Sequence, residues 1–520
     1  MNSVAFYQYL SHNGEELFTI ICLPEKSGTF PTVIRRSPYV DDELTLSEEE
    51  ICEKHRTDCS AWMDAGYAVV FQHCRGCGKS SGDFIPHVNE TADGRALHAW
   101  VRTQPFYNGE LYLYGGSYTA YVHFATAPFA EDIKGAVLEV CDTERYNWFY
   151  RNGLFKSGLL GNWFVKRYKQ KSDIPKHFLM DSYRILPLSD FTKAVFDEPI
   201  EGLDVIFRHP NREDAFWNTP YGGADVRDAI THAEIPILLT TGFYDIFVGG
   251  IFNMWNALDK ETRSMCALAI HPFNHSCNGE VEPINFENGT IKTEFPNYPI
   301  QWFDAIRKNQ KPPFEKGKVT YYKFFDNRWC TDDFYDTNET VRHPLGQETV
   351  TYKYNPYAPA GFKGGLSLNF GGNAWQNNPN SRYDIISVFT PEFEEDTFIK
   401  GKMKVKLKVS SDCEDTSFYV RLSICKEEGY YGLRDDINQI SNVDMTYVPG
   451  DQLEMDFSFD EHAFIVKKGE KIRIDISSSA FANFVPHTNH KGLFSTQTTA
   501  KVATNTVYLA ESYLELPISK

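Results

Sequence analysis

Three side chains that lie far apart in this sequence of 520 residues have the types needed to make an alcohol reactive: Ser117, Asp245 and His275. A serine hydroxyl is a poor nucleophile unless a base removes its proton, and that base needs an acidic partner to orient it. His275 has the chemistry of the base and Asp245 that of the partner. The three residues therefore predict nucleophilic catalysis through a covalent acyl intermediate.

The segment around Ser117 has the pattern of a strand, a tight turn and a helix. Leu111–Tyr114 is an apolar run typical of a buried strand, Gly115–Gly116 interrupts it, and 121–127 is compatible with a helix. A nucleophilic serine lies at the tip of a strained turn that tolerates only small neighbours. The G-x-S-x-G pattern of such turns is met only in part, because Thr119 takes its last position. An ordinary Gly-Gly-Ser loop is the alternative interpretation.

Asp245 and His275 each follow a predicted strand, one ending at Thr240 and the other at Ile270. Open α/β sheets bind ligands at the carboxyl ends of their strands, so both side chains are expected at that edge. In α/β-hydrolases the catalytic residues occur in the order Ser, then Asp or Glu, then His. The alternatives are that Asp245 only caps a turn or helix, and that His271 is the base instead.

A tetrahedral acyl intermediate also needs hydrogen-bond donors for its oxyanion. The backbone N–H of Tyr118, directly after the proposed nucleophile, is one candidate. The loop after the third predicted strand contains Ser37-Pro38-Tyr39, where the phenol of Tyr39 is the second candidate. The alternative for Tyr39 is a packing role in the core.

The composition restricts the partners and the compartment. The net charge is −18 without a basic block, which argues against nucleic acid and anionic membranes as partners. We see no secretory signal at the N-terminus and no apolar stretch of about 18 residues, so a transmembrane helix is not expected. The 11 cysteines lack framework spacing, which predicts reduced thiols in the cytoplasm. Cys74 and Cys77 form a C-x-x-C pair without a matching second pair, so a structural loop is expected there, not a metal site.

Continuous apolar strands that alternate with helical patterns predict a parallel sheet covered on both faces. We predict an α/β protein with an α/β-hydrolase core, an inserted helical cap and a C-terminal β-sandwich of the jelly-roll type. The predicted domains are 1–142 and 232–314 for the two parts of the core, 143–231 for the cap, and 315–520 for the jelly roll. In this scheme Cys266–Ile270 is the last strand of the parallel sheet.

Five motifs carry a resemblance to a known family: Arg36–Tyr39, Arg75–Phe84, Gly115–Tyr118, Gly242–Asp245 and the loop with His275. Together they resemble the cocaine esterase-like (CocE/NonD) hydrolases, relatives of the X-prolyl dipeptidyl peptidases and the α-amino acid ester hydrolases. The resemblance implies that Ser117 is the nucleophile, Asp245 the orienting acid and His275 the base, with Tyr39 and the Tyr118 amide as oxyanion donors.

The sequence departs from the family pattern at three positions. His73 stands where an acidic residue is expected before the Arg-Gly pair, Ala120 replaces the second elbow glycine, and His271 replaces a small residue. These changes affect the packing around the site and leave the three catalytic candidates intact.

These observations predict a serine hydrolase that cleaves carboxylic esters of small acyl substrates and needs no cofactor or metal. The expected pocket residues are Trp148, Phe149 and Phe243. The expected partner is a small-molecule ester or a short peptide, with no nucleic acid and no membrane; a homodimer is left open.

Two alternatives differ in substrate or in class. An X-prolyl dipeptidyl aminopeptidase, or an amino acid ester or amide hydrolase, would need an acidic group for the free α-amine, for which Asp142, Glu144 and Asp181 are candidates. A catalytically inactive protein whose jelly roll binds carbohydrate or another protein would not react with a fluorophosphonate.

Overall fold

The structure is a computed structural model that describes residues 3–158, 162–169, 181–276, 286, 289–335, 338–365, 367–368, 372 and 374–519. Its first part is built on a large twisted sheet, with one small hairpin outside it. The strands of this part are β1 (Val4–His12), β2 (Glu15–Leu23), β3 (Phe30–Ser37), β4 (Ala68–His73), β5 (Tyr107–Gly116), β6 (Ile133–Glu139), the hairpin β7 (Tyr150–Arg151) and β8 (Leu154–Phe155), β9 (Ile237–Tyr244), β10 (Ala267–Asn274), β11 (Val319–Lys323) and β12 (Arg328–Asp332).

The main sheet has ten strands among the described residues, in the order β1-β2-β4-β3-β5-β6-β9-β10-β11-β12. The central strands pair in parallel, whereas β1, β2 and β12 are antiparallel to their neighbours. Most parallel strands are buried along almost their whole length, and β5 is buried mainly at its centre, which explains their continuous apolar sequences. The predicted α/β-hydrolase sheet is therefore confirmed.

Helices cover the sheet and fill the segment between β6 and β9. Those of the core are α1 (Glu48–Asp58), α2 (Ser60–Asp64), α3 (Glu90–Val101) and α4 (Tyr118–Phe124). The inserted segment carries α5 (Arg145–Phe149), α6 (Asn162–Lys169), α7 (Phe191–Phe196) and α8 (Glu201–Ile206), and the core continues with α9 (Val248–Ala257), α10 (Lys260–Met265), α11 (Ile291–Glu294) and α12 (Tyr298–Arg307). None of the helices in the described part of the chain has the length and apolar character that a bilayer crossing needs.

The parallel sheet does not end with the strand at Cys266–Ile270, as the sequence suggested. Val319–Lys323 pairs in parallel with β10, and Arg328–Asp332 continues the sheet as an antiparallel edge. These two strands belong to the hydrolase sheet although they follow residue 315. Pairing between distant segments decides where a sheet ends, and a local pattern does not contain that information.

The rest of the chain forms two antiparallel sheets, which confirms the predicted β-sandwich. The larger sheet follows the order β14-β24-β18-β25-β17-β22, with β13 beside β25 and β21 beside β18, and the smaller follows β15-β20-β19-β23-β16. The bounds are β13 (Asn338–Pro344), β14 (Thr349–Tyr354), β15 (Trp375–Gln376), β16 (Ile386–Phe389), β17 (Thr397–Gly401), β18 (Lys404–Ser411), β19 (Ser417–Lys426), β20 (Gly429–Gln439), α13 (Ile440–Val443), β21 (Leu453–Ser458), β22 (His462–Val466), β23 (Lys471–Ser477), β24 (Ala503–Tyr508) and β25 (Tyr513–Ser519).

Polar contacts connect the inserted segment to the sandwich. Arg151 donates from Nε to Asp436 Oδ1 at 2.7 Å, and the Asn152 side chain donates to the carbonyl of Ile437 at 2.7 Å. The hairpin of the inserted segment is therefore in direct contact with β20 of the sandwich.

Candidate active site

Ser117 lies on the tight turn between β5 and α4. Its backbone has φ 56° and ψ −129°, a strained conformation for a residue with a side chain. The turn is close enough that a Cβ at Gly115 would lie 2.1 Å from the carbonyl oxygen of Thr119, so only glycine fits at position 115. This geometry presents the serine hydroxyl at the carboxyl end of the sheet, as a nucleophile elbow does.

Thr119 has a clear structural role in the same turn. Its hydroxyl donates to the carbonyl of Gly116 at 2.6 Å and accepts from the backbone N–H of Gly116 at 2.7 Å. The threonine that departs from the G-x-S-x-G pattern thus closes the elbow with its own side chain.

Asp245 and His275 meet Ser117 at the ends of two further strands. His275 Nδ1 lies 2.8 Å from Asp245 Oδ1, and His275 Nε2 lies 2.9 Å from Ser117 Oγ. Asp245 is fully buried, and its other contacts are with the Thr241 hydroxyl at 2.7 Å and the Phe247 N–H at 3.2 Å. Because the carboxylate accepts from Nδ1, Nε2 is left as the acceptor for the serine proton.

The alternative base, His271, does not contact Ser117. It is fully buried in β10, where its Nδ1 accepts from the backbone N–H of Phe273 at 3.2 Å. Burial lowers the pKa of His271 to about 4, so this imidazole stays neutral at ordinary pH. The structure brings His275, not His271, to the serine.

Both predicted oxyanion donors lie beside Ser117. The N–H of Tyr118 is the first of α4 and has no acceptor within the helix. The phenol of Tyr39 lines the same cavity as Ser117, its ring lies 6.5 Å from that of Tyr118, and its oxygen accepts from the indole N–H of Trp163 at 3.2 Å. Since the indole occupies the oxygen as a donor, the phenol hydrogen is available for the oxyanion. Although 36% of the surface of Tyr39 is exposed, desolvation of its hydroxyl raises the pKa, so the phenol keeps its proton.

The side chain of Tyr118 fixes the start of α4. Its hydroxyl donates to Glu90 Oε1 at 2.8 Å and accepts from the backbone N–H of His87 at 2.8 Å. Glu90 is itself paired with the fully buried Arg36, whose Nη1 lies 2.8 Å from Glu90 Oε2. This buried network holds the Tyr118 backbone, and therefore its N–H, in place beside the nucleophile.

A cavity of about 370 Å³ opens in front of the serine. Apart from the reacting groups its walls are mostly apolar, and they come from the core, the inserted segment and the sandwich. The lining residues are Tyr39, Gly116, Ser117, Val140, Trp148, Trp163, Ile246, Phe247, His275 and Leu368. Trp148 was expected here from the sequence. Ile246 and Phe247 directly follow Asp245 and could have been inferred from that position, whereas nothing in the sequence around Leu368 pointed to the site.

Two of the expected pocket residues do not line this cavity. Phe149 is fully buried against Phe164 and Trp217 inside the inserted segment. Phe243 is fully buried against the imidazole of His462, with 5.0 Å between the ring centres. These expectations were wrong because aromatic side chains fill cores as readily as they line pockets.

The acidic candidates for binding an α-amine do not line the cavity either. Asp142 is buried and accepts from the backbone N–H of Glu144 at 2.8 Å, and burial raises its pKa to about 6. Glu144 pairs with Arg212 and Arg227, each at 3.1 Å. Asp181 is exposed and lines a different pocket. No carboxylate of the described residues lines the cavity in front of Ser117.

The unexpected His73 belongs to a buried cluster around Glu43. His73 Nε2 lies 2.9 Å from Glu43 Oε2, while Glu43 Oε1 receives His55 Nε2 at 3.0 Å and Lys54 Nζ at 2.6 Å. Burial alone would raise the pKa of Glu43, but hydrogen bonds from His55, His73 and Lys54 outweigh it and lower the pKa below its usual range. Since Glu43 is four residues after Tyr39, the cluster anchors the segment that carries the phenol.

The same three side chains, Glu43, His55 and His73, are close enough together to be considered as metal ligands. However, His73 Nδ1 accepts from the backbone N–H of Lys79 at 3.2 Å, so the proton of the neutral ring is on Nε2. A metal ion on Nε2 would require the opposite tautomer. The geometry therefore fits a hydrogen-bond network better than a metal site.

Comparisons with known proteins agree with this architecture. Residues 13–277 match the family model of the X-Pro dipeptidyl-peptidase (S15 family), and residues 316–515 match that of the X-Pro dipeptidyl-peptidase C-terminal non-catalytic domain. The chain is similar to a cocaine esterase from Rhodococcus sp. (strain MB1 Bresler), with 22% identity over 98% of this chain and 97% of the relative.

Similar solved structures cover the whole chain. An α-amino acid ester hydrolase superposes with a TM-score of 0.83 and 18% identity, over 99% of this chain and 97% of that one. An aminopeptidase from a marine sediment Thaumarchaeota archaeon superposes with a TM-score of 0.81 and 18% identity, over 100% and 97%. At these identities the structures establish the shared fold, while the family model establishes the family. We conclude that this chain belongs to the S15 family and is a serine hydrolase of the CocE/NonD type.

Proposed function

We propose that this enzyme hydrolyses carboxylic esters with small, uncharged acyl groups, using Ser117, His275 and Asp245 as its catalytic triad. The observation that carries the proposal is the character of the cavity. Among the described residues its walls are apolar side chains such as Trp148 and Phe247, with no carboxylate that could bind a free α-amine. A buried ammonium group without a counter-charge is strongly disfavoured, whereas an apolar acyl chain gains free energy from burial.

The reaction follows from the distances in the triad. Ser117 Oγ forms a bond to the carbonyl carbon of the ester while its proton moves to His275 Nε2, 2.9 Å away. The imidazolium is stabilised by the buried carboxylate of Asp245. The oxyanion accepts hydrogen bonds from the Tyr118 N–H and the Tyr39 phenol.

Collapse of this tetrahedral intermediate gives an acyl-enzyme, which water then hydrolyses. The carbon–oxygen bond to the leaving alcohol breaks, and the alcohol takes the proton from His275 Nε2, which leaves the acyl group on Ser117. A water molecule then gives a proton to His275 and attacks the acyl carbon. The bond between the acyl carbon and Ser117 Oγ then breaks, Oγ takes that proton back from His275, and the acid is released.

The alternative is an aminopeptidase that removes X-Pro dipeptides, or a hydrolase of amino acid esters or amides. It is favoured by the family name and by the aminopeptidase and α-amino acid ester hydrolase among the similar structures. It requires an acidic group at the cavity, and Asp142, Glu144 and Asp181 all lie outside its lining.

The deciding experiment compares kcat/KM for p-nitrophenyl butyrate, Gly-Pro-p-nitroanilide and N-acetyl-Gly-Pro-p-nitroanilide. We expect rapid cleavage of the butyrate and similarly slow cleavage of the two anilides, because the site has no group that recognises the free amine. A preference of orders of magnitude for the free-amine anilide over its acetylated form would overturn the esterase proposal. Ser117→Ala is the control and should lose all three activities as well as fluorophosphonate labelling.

A further inference from the structure

Arg145, the first residue of α5, is a buried cation without a polar partner. Its side chain is only 1% exposed, and none of its three guanidinium nitrogens has a hydrogen-bond acceptor among the described residues. The rings of Tyr221 and Phe149 lie against the guanidinium at 4.8 Å and 5.8 Å. Such contacts are attractive, but they do not replace hydrogen bonds for the N–H groups at the edge of the guanidinium plane.

The other buried arginines of the described chain provide an internal comparison. Each of them donates to at least two acceptors, as a desolvated guanidinium must if it is to be stable. They are Arg36 with Gln72 and Glu90, Arg421 with Tyr419 and Asp435, Arg434 with the carbonyls of Asp460 and Glu461, and Arg473 with Asp475 and the carbonyl of Asn377. Arg145 is the exception.

A second buried donor without a partner lies nearby. The Tyr121 hydroxyl on α4 has no hydrogen-bond partner among the described residues, and its ring lies 5.6 Å from that of Trp148, three residues after Arg145 on α5. Burial raises the pKa of Tyr121, so its hydroxyl keeps a proton to donate. The neighbouring carboxylates do not pair with Arg145. Asp225 accepts from Thr91, and Glu144 pairs through Oε2 with Arg212 and Arg227, while its buried Oε1 has no hydrogen-bond partner among the described residues and forms none with Arg145.

A positive charge and buried donors without an acceptor are the chemistry of an anion site. We propose that Arg145 and Tyr121 bind a small inorganic anion of the halide class between α4 and α5. The inference does not depend on the ester substrate proposed above.

The surroundings explain why the ligand should be small. The Trp148 ring lies 5.6 Å from that of Tyr121 and 4.8 Å from that of His87, and its indole also lines the catalytic cavity. Trp148 therefore lies against Tyr121 as well as against the space that a substrate enters, and Arg145 is not among the residues that line that space. The proposed ligand is thus distinct from the substrate, and beside these packed rings it must be as small as a halide.

Crystals of the full chain grown with bromide test the proposal directly. We expect an anomalous bromide peak within hydrogen-bonding distance of the Arg145 guanidinium. Density for water alone at that position would overturn the proposal. A bromide found only at surface lysines and arginines would do the same.

A solution experiment gives an independent result. With sodium gluconate replacing sodium chloride at constant ionic strength, the melting temperature of the wild type should rise saturably with chloride, by roughly 2–5 °C. Arg145→Gln should abolish this rise and Tyr121→Phe should weaken it, while Arg342→Gln, a change at an exposed arginine, should leave it intact. A chloride effect that persists in Arg145→Gln, or that is absent from the wild type, would overturn the proposal. If Arg145→Gln does not fold, Tyr121→Phe and the bromide crystals decide.

Discussion

Two imidazole–carboxylate pairs of the hydrolase core have nearly the same nitrogen–oxygen distance, one at the catalytic cavity and one in the cluster around Glu43. His275 and Asp245 are 2.8 Å apart, and His73 and Glu43 are 2.9 Å apart, with both carboxylates buried. The pairs differ in what the second nitrogen of the ring faces. In His275 it faces a serine hydroxyl on a strained turn at a cavity, whereas in His73 it accepts from the backbone N–H of Lys79 inside the fold.

The comparison shows that the acid–histidine pair by itself does not define a catalytic group. The first pair can move a proton because its free nitrogen meets a nucleophile and a space for substrate. The second can only hold structure, because both nitrogens of His73 are occupied by protein groups. The second pair affects the reaction only indirectly, because Glu43 anchors the segment that carries Tyr39. We therefore regard Glu43 and His73 as positioning residues.

The largest expected effect separates the two histidines. His275→Ala should reduce kcat/KM for the ester by about 10⁴–10⁶ and abolish fluorophosphonate labelling, because Ser117 loses its base. His73→Gln should keep the labelling and lose no more than about tenfold in kcat, since it affects only the support of Tyr39. Steady-state kinetics and probe labelling measure both. If the two variants lose activity equally while both remain folded by circular dichroism, the distinction between the pairs is wrong.

An intermediate effect is expected at Tyr39. The Glu43–His73 pair supports the segment that carries this phenol, and the reaction driven by the Asp245–His275 pair forms the oxyanion to which the phenol donates. Tyr39→Phe should lower kcat by about 10²–10³ with little change in KM, because the donor acts on the oxyanion that forms in the transition state. Tyr383→Phe, at an exposed tyrosine, is the matched control and should have no effect. A rise in KM without a fall in kcat would instead assign Tyr39 to substrate binding.

The smallest expected effect on activity is that of Glu43, the carboxylate of the second pair, whose main contribution is to stability. Glu43→Gln should reduce the free energy of unfolding by about 1–3 kcal/mol at pH 7, because the buried His55 and His73 and the partly exposed Lys54 lose a charged acceptor. The pKa of Glu43 is lower in the folded protein than in the unfolded chain, so its contribution to stability is present above the unfolded value and is lost as the pH falls.

The difference in stability between the wild type and Glu43→Gln should therefore be largest near neutral pH and shrink towards pH 3. Urea unfolding at several pH values measures it, and Glu131→Gln, at an exposed position, should show no such dependence. A difference that does not change with pH would mean that the Glu43 charge is not stabilised by its neighbours.

The residues predicted from the sequence were those with a local signal. The elbow is a run of apolar residues, small residues and a serine, and its conformation depends on neighbours within a few positions of Ser117. Asp245 and His275 could be inferred because each directly follows a strand, and parallel strands end at the same edge of the sheet. Thr119 and His73 were noticed only as departures, since their partners, Gly116 and Glu43, were not evident from the pattern.

The pocket was predicted less well, for a physical reason. Trp148, Phe149 and Phe243 have the same chemical character, but only Trp148 faces the cavity, while Phe149 and Phe243 are enclosed in cores. Which face of an element is covered depends on the layer that packs on it. The same applies to Leu368, which reaches the cavity from the sandwich side of the chain.

By itself the sequence determined the family, the order of the strands and helices in the hydrolase core, and the identity of a nucleophile, a base and an acid. These properties are encoded in residue types and short-range periodicity. Only the tertiary structure decided that His73 supports a carboxylate, that two strands after residue 315 join the main sheet, and that Arg145 is buried without a hydrogen-bond partner in the described part of the chain. Each of these depends on contacts between segments far apart in the chain, where packing and burial, not local preference, set which polar groups meet.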